Sequence, residues 1–167
     1  MKHWLLPALI ILFAACNNSG GKDETKDTAA VKSEHDTMHQ MQSTEGGVPE
    51  LPAVPEGAKV YFKNLKDNAT ISSSFKLEMS TEVMRIDTAG PIVAGSGHHH
   101  LLINGPDSIA AGGVIPMDSL HIHFGKGQTE YELKLPPGKH KLTLQMADGI
   151  HRSYGSRLAA SIHVTVK

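Results

Sequence analysis

The chain has 167 residues, of which 16 are Lys or Arg, 17 are Asp or Glu and 40% are hydrophobic; this suits one ordinary domain with extra segments and hardly two. The near-neutral balance and the lack of a basic patch exclude nucleic acid as an expected partner. A single cysteine excludes an intramolecular disulfide, so the domain must be held by its apolar core.

The first element reads as an export signal. Lys2 precedes an apolar run, Leu5 to Ala15, of about eleven residues, where crossing a bilayer needs roughly 20. Phe13, Ala14, Ala15 and Cys16 then resemble the lipobox of bacterial lipoproteins, with Phe13 where Leu is more usual. Cleavage before Cys16 and acylation of its thiol are expected, making membrane lipid a partner through that residue. Only Lys2 would be lost, leaving 16 − 1 = 15 positive side chains against 17 negative ones. Asn17 is not the Asp that retains many lipoproteins at the inner membrane. The expected address is the bacterial cell envelope with the outer membrane favoured, on its periplasmic or surface side.

Residues 17–57 are rich in Asn, Ser, Gly, Thr, Lys, Asp and Glu, and close on Pro49, Pro52 and Pro55. Such a stretch buries too little apolar surface to offset its chain entropy and is expected to be a flexible tether. Within it His35, Met38, His39 and Met41 suit copper, the thioethers preferring the cuprous ion; a plain polar linker is the alternative.

From Ala58 onward short alternating segments replace the polar composition, giving a domain over 58–167. Strands are expected at Lys59–Lys63, Ser74–Met79, His98–Asn104, Leu120–Phe124, Thr129–Leu135, Lys139–Met146 and Ser161–Lys167. Apolar residues recur every second position at Tyr131, Leu133 and Leu135, at Leu142, Leu144 and Met146, and at Ile162, Val164 and Val166. Pro136, Pro137 and Gly138 predict a hairpin turn between two of these runs. About seven strands with no helical stripe predict an all-β antiparallel sandwich of immunoglobulin-like type, a small barrel being the alternative.

Eight of the 11 histidines fall in the second half of the chain. Strand pleating puts His98 and His100 on one face and His99 on the other, and it puts His121 and His123 together opposite Leu120, Ile122 and Phe124. If the two strands are neighbours, His98, His100, His121 and His123 form a candidate site for copper or zinc. His99, His140, His151, Gln128 and Glu130, with Asp148, are candidate auxiliaries, and the glycines at 125 and 127 are expected to serve a turn that brings Gln128 and Glu130 to the histidines. His163 is expected to face water. No nucleophile elbow, reactive cysteine or phosphate loop is present, so no catalytic residues are assigned.

Three stretches carry a resemblance: Ser96 to Ile103, His123 to Glu130, and Leu135 to Leu142. In order and content they are similar to domain of unknown function family 4399, small exported bacterial proteins, over roughly Val60 to Val166. Asp148, Gly149, Ile150 and His151 look similar to the family's Asp and His hairpin end, whereas Asn104 stands where the family pattern has Asp. The resemblance implies an exported β domain with the histidine strands as its functional surface, and supplies no activity. Three functions stay open: a lipid-anchored metal-binding module without catalysis, an interaction module for an envelope protein or glycan with structural histidines, and a metal-dependent hydrolase.

Overall fold

The computed structural model describes residues 47–167; the export signal, Cys16 and the His35, Met38, His39 and Met41 group lie outside the described residues. Nine strands form two sheets: β1 (Lys59–Phe62), β2 (Ala69–Ile71), β3 (Ser74–Glu82), β4 (Arg85–Ile86), β5 (Ser96–Ile103), β6 (His121–His123), β7 (Glu130–Lys134), β8 (Gly138–Ala147) and β9 (Ala159–Val166). One sheet has the order β1-β3-β7, the other β2-β9-β8-β5-β4 with β6 also paired to β5. The all-β expectation holds, and all seven expected strands form. The two added strands, β2 and β4, are short and pair parallel, with β9 and β5 respectively.

The alternating apolar positions explain the layering. Val60 and Phe62, Leu77 and Met79, and Leu133 from the smaller sheet share one buried cluster with Leu101 and Ile103, Leu142, Leu144 and Met146, and Val164 and Val166 from the larger. Each fully buried aliphatic side chain contributes about 1.5–3 kcal/mol, so this cluster is the main attraction between the sheets. Pro136, Pro137 and Gly138 do not close a hairpin. β7 pairs with β3 and β8 with β5 and β9, so this turn carries the chain from one sheet to the other. Two prolines without N–H donors and Gly138 at φ 138° suit a corner better than a ladder.

The outer face of the larger sheet is also covered, which is why β5 is buried along its whole length. Residues 106–115 run across it: Thr143 donates to the Pro106 carbonyl (2.9 Å), and the Ile109 N–H donates to Gln145 Oε1 (3.1 Å). Gly112 and Ile115 donate to the carbonyls of Ser153 and His151, joining this cover to the chain after β8. Leu51 and Val54 pack on the core and Arg152 donates to the carbonyls of Pro49 and Glu50, so the stretch expected as the end of a tether lies on the folded body.

Candidate metal centre

β5 supplies the first two ligands. Its pleat turns His99, Leu101 and Ile103 into the core and His98, His100 and Leu102 to the covered outer face. β6 runs antiparallel beside it, placing His123 opposite His100 and His121 opposite Leu102. His98, His100 and His123 each bring a ring nitrogen to a common point, the three lying within 4.8 Å of one another. The Nε2 atoms of His98 and His100 are 3.1 Å apart.

His151 stands beside this group, on a turn rather than a strand, and its ring nitrogens lie outside the set of three that all fall within 4.8 Å of one another. Its Nε2 lies 3.2 Å from Nε2 of His123. The turn is built on Asp148, whose Oδ1 accepts the N–H groups of Ile150 and Arg152 and whose Oδ2 accepts Arg152 Nε at 2.7 Å. The His151 N–H donates to the Asp148 carbonyl, and His151 itself holds φ 71°, a left-handed conformation that a non-glycine residue adopts at a cost of about 1–3 kcal/mol. Two glycines make room. A Cβ on Gly149 would lie 2.3 Å from the Pro91 carbonyl oxygen, and one on Gly125 would lie 2.2 Å from both Cε1 and Nε2 of His123. Gly125 therefore serves the His123 ring directly, while Gly127, at φ 73°, serves the turn.

His98 and His100 are fully buried, while His123 and His151 are partly exposed, so the cluster opens on the side of the latter pair. Burial pushes His98 down to about 4, with His123 and His151 adding to the effect and Asp148 opposing it. Burial also pushes His100 down to about 2, reinforced by the neighbouring imidazoles. His123 is lowered as well, by burial first and His151 second. Rings kept neutral in this way keep a lone pair for a metal ion. The Nδ1 atoms of His98 and His100 are buried with no hydrogen-bond partner. Leaving such groups unpaired costs about 1–3 kcal/mol each, and the same holds for both ring nitrogens of His99 on the core side.

The remaining expected residues go elsewhere. His121 turns its Nδ1 to Asp118 Oδ1 at 2.8 Å and lies outside the three-nitrogen group. His99 is fully buried on the core side, and burial lowers it to about 4. His140 contacts the Pro136 carbonyl and Asn104, so Asn104 braces a histidine away from the cluster. Gln128 accepts the Lys126 N–H, and Glu130 pairs at 2.9 Å with Lys76 of the neighbouring strand β3, within the smaller sheet; the glycine turn brings neither to the histidines. His163 is exposed, as expected, 3.5 Å from Asp67. The signal for His151 in the sequence was Asp148 followed by Gly149, a turn that only the folded register aims at β6.

The model of a family described as a domain of unknown function (DUF4399) matches residues 77–167, which include every histidine of the cluster. No curated protein and no solved structure matches the chain.

Proposed function

Since the chain belongs to the DUF4399 family, whose description carries no activity, we propose a function from the cluster itself: a non-catalytic metal-binding module for a transition-metal ion, copper or zinc. The observation that carries the reading is the convergence of His98, His100 and His123 ring nitrogens on one point. Histidines that brace loops bond to carbonyls, as His140 does with Pro136; those of the cluster bond only to one another. This favours metal binding over the reading in which the histidines are structural. The lipobox-like stretch ending at Cys16 supports a module anchored by lipid in the cell envelope.

Titration of the full metal-free chain with zinc(II) and with copper(II), beside His98→Ala, His100→Ala and His123→Ala, tests the reading. One ion per chain for the parent and loss of binding in all three variants is the expected result. Equal, weak binding by parent and variants would overturn it. Anchoring is tested separately: Cys16→Ala is expected to lose incorporation of a labelled fatty acid and to leave the membrane fraction.

A further inference from the structure

The four imidazoles of His98, His100, His123 and His151 have a definite shape. Their ring centres are separated by 4.9 Å (His98 to His100), 5.0 Å (His98 to His123), 5.1 Å (His98 to His151), 5.0 Å (His100 to His123), 5.9 Å (His100 to His151) and 4.7 Å (His123 to His151). With nitrogen about 2.0–2.1 Å from zinc and the ring centre about 1.1 Å further out, tetrahedral coordination puts ring centres about 5.2 Å apart. A square arrangement at similar bond lengths instead gives four separations of about 4.5 Å and two diagonals of about 6.4 Å.

The two diagonals of a square share no corner. The longest separation here, His100 to His151, leaves His98 to His123 as the other diagonal, and that pair is only 5.0 Å apart. The ring centres are therefore arranged as a tetrahedron and not a square; the nitrogens of His98, His100 and His123 already lie within 4.8 Å of one another, and His151 must turn its ring inward to ligate with them. The Nε2 contacts of 3.1 and 3.2 Å agree, since a tetrahedral edge between ligand nitrogens is about 3.3 Å.

We propose that His151 is the fourth ligand of a closed, tetrahedral four-imidazole site for zinc(II). The inference rests on the metal-binding reading above and adds to it the coordination number, the fourth residue and the ion. Zinc has no d-electron preference to oppose this shape, whereas copper(II) favours a tetragonal one and copper(I) favours softer sulfur ligands. Four protein ligands leave no open position for a water, so the site holds its ion without hydrolytic chemistry. His121, one rung further along β6 and tied to Asp118, takes no part.

Cobalt(II) is the probe, because its visible absorption is intense in a tetrahedral site and weak with five or six ligands. The full chain is loaded with cobalt(II) and with zinc(II), beside His151→Asn and His121→Ala. Asn tolerates the left-handed backbone at 151, so the turn is retained. The parent is expected to show the intense absorption, unchanged in His121→Ala. In His151→Asn the absorption bands are expected to shift and to become pH-dependent as water takes the fourth position, with zinc held more than about 100-fold more weakly, since even outer-shell partners are worth about 10–100-fold. An unaltered spectrum in His151→Asn, or a change confined to His121→Ala, overturns the assignment of the fourth ligand. An axial copper(II) signal with four coplanar imidazole nitrogens overturns the tetrahedral shape, and preferential uptake of copper(I) over zinc overturns the ion. A parent that holds no metal overturns the metal-binding reading along with this one.

Discussion

Replacing Gly125 by Ala tests whether the cluster is a metal site more sharply than deleting a histidine does. The added methyl would stand 2.2 Å from Cε1 and Nε2 of His123, and ordinary contact begins at 3.4 Å, so the ring must retreat by 3.4 − 2.2 = 1.2 Å. Ligand distances tolerate about 0.2 Å, so a shift of that size takes His123 out of coordination. The expected loss of zinc affinity is more than about 100-fold, or about 2.7 kcal/mol. Fold stability should change little. Gly125 has no left-handed backbone to be strained, and the other near contact, Ala89 Cβ at 3.2 Å, needs only a small adjustment, costing about 1 kcal/mol. Competition against a chelator of known affinity measures the first quantity, and urea unfolding of the metal-free protein measures the second. Zinc held within threefold of the parent by Gly125→Ala, at unchanged stability, would refute the assignment of His123 as a ligand.

Acidification should weaken the metal-free fold. Unfolded imidazoles titrate near 6.5, but His98 and His99 titrate at about 4 in the fold and His100 at about 2. The unfolded chain thus binds more protons below 6.5, so stability is complete above that pH and falls progressively towards 4 and lower. A urea midpoint that stays constant between about pH 7.5 and about pH 5 would contradict this. Arg152→Ala strands the carboxylate of Asp148, which is fully buried, and should cost about 3–5 kcal/mol in urea unfolding. Gln145→Leu should free the cover over the outer face, because Gln145 bonds Ile109, Gly155 and Leu158; faster amide exchange at Ile109 is the readout.

Much of the fold was legible because strands with one buried face print their period on the sequence, as Leu142, Leu144 and Met146 do. β2 and β4, three and two residues long, are too short to show a period and exist only through partners distant in sequence. The corner at Pro136 to Gly138 was misread for a related reason: turn residues announce a change of direction, not which sheet receives the next strand. At the site, pleating correctly put His98 with His100 and His121 with His123. It fixes the face and not the position along the strand. The antiparallel register sets His123 opposite His100 and moves His121 a further rung from His98. His151 was legible only as an auxiliary, because its place depends on a left-handed backbone that no periodicity encodes.

The pairing of β2 with β9 bears on how the chain is made. Ala69 lies opposite Val164, 164 − 69 = 95 residues later, and the Lys167 N–H donates to the Ile71 carbonyl. Among the described residues β9 is the strand that receives β2, so β2 waits for the last strand of the chain. Until then the larger sheet is unfinished, although every histidine of the cluster has already been synthesised. Completion of the fold is thus set by the last strand, and contacts this far apart in sequence place the protein among slow-folding β domains.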